Sequence, residues 1–106
     1  MRLAGSWQVL LDDRILEYFV ESDEEFLQPG EIADDDRIRY SRAYVSKRCV
    51  KLADHGLLQA IKQGVYRITD EGRGYLEGEY DAEAGVWTDQ ANGKSASAGV
   101  EDSSEV

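Results

Sequence analysis

The sequence predicts an α+β fold in which a three-helix core is followed by a β-hairpin and a C-terminal helix. Three observations predict it. Apolar residues recur at helical spacing over 12–21 and 41–55, whereas two short β-prone runs flank a glycine-containing turn between 57 and 68. The 106 residues, 42% of them hydrophobic, suffice for one core and are too few for two.

Helix 1 is expected over 12–21. Leu11, Ile15 and Phe19 repeat every fourth residue, as do Leu16 and Val20, while Arg14, Glu17 and Glu21 take the other side. Asp12 is the expected N-cap, and Asp13 lies where the helix dipole favours a negative charge. Upstream, Trp7, Val9 and Leu10 either pack over this helix or form a short strand. A charged connection over 22–25 leads to Phe26 and Leu27, which return to the core. Pro29 suits the first turn of a short helix 2 that carries Ile32 and Ala33 and ends near Asp35 or Asp36. The run Asp34, Asp35, Asp36 reads as solvated charge at a helix end, because three adjacent helical residues cannot all face one cation.

After a linker in which Ile38 plugs the core, Ser41 is the N-cap of helix 3. Val45, Cys49 and Leu52 form its buried stripe, and Gly56 is the expected left-handed stop. Next come 57–61, the turn 62–64 and 65–68, a hairpin with Tyr66 and Ile68 on one face and Val65 and Arg67 on the other. Thr69 then caps a last helix whose first turn carries Asp70 and Glu71 and whose stripe is Tyr75, Leu76 and Tyr80. Gly72, Gly74 and Gly78 weaken that helix, so packing must hold it. Residues 1–84 form the domain. Residues 85–106, rich in Ser, Ala, Gly and acids, are expected to be an acidic disordered tail, with Val86 and Trp87 tacked onto the domain or onto a second copy.

Charge locates the candidate site. The chain has 22 Asp and Glu against 12 Lys and Arg, yet half of those cations fall in 37–51, RIRYSRAYVSKRCVK, where no acid interrupts them. The rest of the surface is anionic, as carboxylate-rich proteins of a salt-adapted cytoplasm are. On helix 3 the side opposite the buried stripe holds Arg42, Ser46 and Lys47, flanked by Ala43, Arg48 and Lys51.

Other chemistry finds little foothold. One cysteine excludes an intrachain disulfide and suits a reducing cytoplasm; no Cys/His cluster offers a zinc site. Nowhere do about 18 successive apolar residues occur, and the first residues lack the apolar run of a signal peptide. His55, the only histidine, is explained by the helix C-terminus, and Cys49 by the apolar face. Gly72-Arg73-Gly74 is too short and too late for a nucleotide loop. Hence neither an enzyme nor a cofactor is expected.

The order helix, helix, basic helix, hairpin, helix resembles a winged helix-turn-helix regulator. More narrowly, LLDDRILEYF at 10–19, PGEIAD at 29–34, YVSKRCVKLADHGLL at 44–58 and GVYRITDEGRGYLEGEYDA at 64–82 resemble haloarchaeal proteins similar to the repressor of phage phiH. The resemblance spans most of 7–82 and implies a cytoplasmic, sequence-specific, double-stranded-DNA-binding regulator, usually a repressor. The turn before helix 3 is about two residues longer than in the compact phage-repressor motif.

Together these readings make helix 3 the probe of the major groove. Arg42 and Lys47 are expected to reach base edges, with Ser46 and the Ala43 methyl reading a neighbouring base. Arg39, Arg48 and Lys51 would grip phosphates, backbone amides near Ser41 would add an anion contact, and Lys62 would touch DNA from the wing. For Tyr44 two roles stand open, a hydroxyl contact to phosphate and ring packing beside Val45. A homodimer is expected, with Trp7, Tyr80 and Trp87 as candidate contacts. The rival reading is a winged helix that docks a protein rather than DNA, which the acidic net charge of −10 favours and the uninterrupted basic helix opposes.

Overall fold

A computed structural model describes residues 1–88. Along the first helix, α1 (Leu10–Glu21), the side chains of Leu11, Ile15, Leu16 and Phe19 are buried as their spacing requires, whereas Val20, and beyond the helix Phe26, are exposed against expectation. The helix begins two residues earlier than expected because Asp12 is not its N-cap. That position belongs to Val9, and Asp12, one turn in, reaches back to accept the Val9 amide at 3.0 Å. Its carboxylate is completely buried, which calls for a second partner.

Helix α2 (Pro29–Ala33) is shorter than expected, with Pro29 in its first turn and Ile32 in the core. What ends it is a turn in which the Asp35 carboxylate accepts both the backbone amide (2.8 Å) and the guanidinium (3.0 Å) of Arg37. Ile38 then enters the core. Helix α3 (Arg42–Asp54) agrees with its sequence closely: the Ser41 hydroxyl accepts the Tyr44 amide at 3.1 Å, and Val45, Cys49 and Leu52 are fully buried. At the other end Gly56 adopts φ 81°, so that its amide reaches the Ala53 carbonyl and the Leu57 amide the Leu52 carbonyl. A side chain there would be strained.

Strands β1 (Leu58–Lys62) and β2 (Val65–Ile68) pair antiparallel, with Leu58 opposite Ile68, Ala60 opposite Tyr66 and a bulge at Ile61. Tyr66 and Ile68 face inward, as their alternation predicts. Leu27 exchanges two backbone hydrogen bonds with Tyr66, at 3.0 and 2.9 Å, and so ties the hairpin to the helices. Thr69 begins α4 (Asp70–Leu76) by accepting the Gly72 amide while donating to the Gly56 carbonyl at 2.7 Å, which joins the end of α3 to the start of α4.

The glycines of α4 have a reason that composition does not reveal. A Cβ on Gly72 would run into the Leu57 carbonyl oxygen, so this glycine permits the helix to lie directly on the chain leaving α3. Tyr75 is buried and donates its hydroxyl to Asp13 at 2.6 Å. Tyr80 does not extend the helical stripe. The helix stops at Leu76, and β3 (Tyr80–Asp81) pairs with β4 (Val86–Trp87) in a second small hairpin, with the Tyr80 and Trp87 rings edge to face at 5.2 Å. The chain's beginning joins this corner: Ala82 donates to the Leu3 carbonyl at 2.9 Å, and Arg2 reaches the Leu76 carbonyl, Asp13 and Glu17. Trp87 thus packs on the body of the domain and Val86 pairs with Asp81, while the rest of the expected tail lies outside the described residues. Among the described residues no helix is long and apolar enough to cross a membrane.

Candidate nucleic-acid interface

Packing determines which side of α3 is presented. Its Val45–Cys49–Leu52 stripe is covered by α1, α2 and β1, so the side chains on the far side point away from the core. Successive turns of that side carry Ala43, Lys47 and Val50, with Arg42 and Ser46 along one edge and Tyr44 and Lys51 along the other. All are exposed except Ser46, which is half-buried. No acid occupies the first turn of α3, so nothing there opposes the positive end of the helix dipole.

The cations of 37–51 divide into two sets. Arg37 donates to Asp35 and, at 2.8 Å, to Glu21, and lies 5.8 Å from the centre of the Tyr18 ring. Its charge is neutralised within the fold. Arg48 departs from the expectation that it grips phosphate, because its guanidinium turns inward and makes a two-pronged contact with the buried Asp12, at 2.9 and 2.7 Å. A third bond runs from Arg48 to the Trp7 carbonyl at 3.1 Å. Hydrogen bonding to Asp12 outweighs burial and raises the Arg48 pKa, so the guanidinium keeps its charge. Arg48 is the second partner that Asp12 requires.

The remaining four cations stand otherwise. Arg39, Lys47 and Lys51 are exposed and make no ion pair among the described residues. Arg42 has a side chain 72% exposed, and its nearest carboxylate, Asp34, is 3.9 Å away. Its guanidinium lies over Gly30 at the start of α2, where a Cβ would come within 3.0 Å of Nε. Lys62, at the end of β1 beside the hairpin turn, is exposed. Ser41 is exposed as well, with its hydroxyl already engaged by the Tyr44 amide.

Two exposed groups on this surface escaped the sequence reading. Val50 is 48% exposed and continues the line of Ala43 and Lys47; the spacing alone places it there. Tyr40, 49% exposed, lies just before the N-cap with its ring 5.5 Å from that of Tyr44. No periodicity marks a residue in a turn. Cys49 lies in the core, where burial pushes its thiol up to about 12. Trp7, Tyr80 and Trp87, expected as contacts between copies, are engaged within the chain: Trp7 stacks on His55 at 3.8 Å, and Tyr80 meets Trp87.

Comparison with known proteins agrees with this geometry. Residues 1–85 match the family described as winged helix-turn-helix phage repressor. Among solved structures, the PhiH1 repressor-like protein from Haloarcula marismortui superimposes with a TM-score of 0.77 and 52% sequence identity, covering 82% of this chain and 97% of that one. No curated protein matches the chain significantly.

Proposed function

Because this chain belongs to the winged helix-turn-helix phage repressor family of DNA-binding regulators, we propose that it is a sequence-specific repressor that reads the major groove with α3. The observation that carries this reading is the outward side of α3, where Arg42, Lys47 and Lys51 project from an otherwise acidic molecule without a neutralising contact shorter than 3.9 Å. An α-helix fits the major groove of B-DNA, and guanidinium or ammonium groups there find the paired acceptors of guanine. Arg42 and Lys47 are the base readers. Ala43 and Ser46 touch the adjoining base, and Val50, in line with Ala43, adds an apolar contact for a thymine methyl.

Affinity comes mainly from phosphates. Arg39 and Lys51 bind them from the two ends of α3, Lys62 does so from the wing, and amides at the start of the helix add a weaker contact. Arg48 has no part in this set, since leaving Asp12 would strand a buried charge. A single α3 spans few base pairs, so the protein acts as a homodimer on a palindromic operator in the cytoplasm.

A gel shift in high KCl, with fragments of the source genome flanking this chain's own coding region and excess random competitor, tests the reading. Selective retention of one fragment is the expected result; equal retention or none overturns it.

A further inference from the structure

The outward side of α3 has an aromatic edge as well as a cationic one. Tyr40 and Tyr44 are 49% and 36% exposed, and their rings are tilted at 41° with centroids 5.5 Å apart. Neither hydroxyl is hydrogen-bonded among the described residues. Each tyrosine keeps a third to a half of its surface in water, and neither belongs to the buried core. Tyr44 precedes Lys51 by seven residues, two turns along the same edge of α3 and about 10 Å away, across the helix from Arg42. The edge therefore presents two neutral hydroxyl donors in line with an ammonium group.

We propose that Tyr40 and Tyr44 form a paired, uncharged contact to the DNA phosphate backbone at the leading end of α3, supplying affinity that salt does not titrate. The proposal rests on the DNA-binding reading above. A cation that reaches a phosphate releases counterions, and the gain shrinks as the salt concentration rises. A phenol hydroxyl donates to the same oxygen without displacing an ion. Its contribution is then constant across salt, which matters in a protein whose 22 acids otherwise repel the duplex.

The difference is measurable in the full chain by fluorescence anisotropy on a mixed-sequence duplex across a series of KCl concentrations. Tyr40→Phe and Tyr44→Phe keep both rings, so the fold is preserved. Each should weaken binding by about three- to tenfold at every salt concentration, the worth of one ordinary hydrogen bond. The slope of log affinity against log salt should stay at its wild-type value. Lys51→Gln is the contrasting variant, lowering the steepness of that slope by about 0.9. Wild-type affinity in the double phenylalanine variant overturns the proposal, as does a loss that varies with salt. Should the unaltered protein bind no duplex at all, the DNA-binding reading fails first and the tyrosine contact with it.

Discussion

Both long sides of α3 carry an arginine, and the two do opposite things. On one, Arg48 is drawn through the surface to a carboxylate with no solvent exposure and to the Trp7 carbonyl, joining helix, N-terminal segment and α1. On the other, Arg42 and Lys47 extend into solvent, and the nearest acid to Arg42 is 3.9 Å away and itself 75% exposed. The lesson concerns the partner rather than the arginine: a guanidinium belongs to the fold when a buried carboxylate from another element awaits it, and to a ligand when none does. A buried charge stranded by loss of its partner is costly, whereas an exposed cation can change partners at little cost.

Mutation separates the two sides. Arg48→Ala leaves the buried Asp12 without its cation and should destabilise the protein by about 3 to 5 kcal/mol in urea unfolding. In the folded fraction its salt slope on DNA should remain that of the wild type. A slope reduced by about one, with stability unchanged, would return Arg48 to the phosphate contacts. A neutral probe of the interior, Gly72→Ala in α4, forces a methyl group toward the Leu57 carbonyl oxygen and should cost about 1 to 3 kcal/mol in the same assay.

Substitutions on the outward side should leave stability within about 0.5 kcal/mol and act on recognition instead. Arg42→Ala and Lys47→Ala are each expected to reduce discrimination between operator and random duplex by roughly 1 to 3 kcal/mol in competitive anisotropy. If both variants discriminate as the wild type does, α3 is not the reading helix.

The smallest effect is expected at the N-terminal clamp. Burial by itself would raise the Glu17 carboxyl, but hydrogen bonds from Arg2 (2.7 Å) and Arg14 (3.1 Å) outweigh it and hold the group below its usual value. The native protein therefore binds this proton less readily than the unfolded chain. The resulting stability is present above the ordinary carboxylate range and disappears as pH falls through the lower native value. Arg2→Gln should cost at most about 1 kcal/mol at pH 7 and remove part of the acid sensitivity, as read by urea unfolding at pH 7 and pH 3.

Much of this was legible because it is local. The buried stripes of α1 and α3, Ser41 and Thr69 as caps, the Gly56 stop and the inward faces of Tyr66 and Ile68 all follow from neighbours within a few residues. The errors have one origin. Asp12 reads as an N-cap until Arg48, 36 residues later, is seen to need it, and Arg48 reads as a phosphate contact for the same reason. Tyr80 fits a helical stripe until Trp87 offers it a strand partner. Gly72 reads as a weakness until the Leu57 carbonyl occupies the space a side chain would fill.

By itself, then, the chain's order of residues determined that a basic helix, free of acids until its last residue Asp54, would lie between a short helix and a hairpin, since periodicity, caps and turns are interactions along the backbone. Tertiary structure alone decided which of its cations face outward, because that depends on where carboxylates from distant segments come to rest and on how much water is left around them.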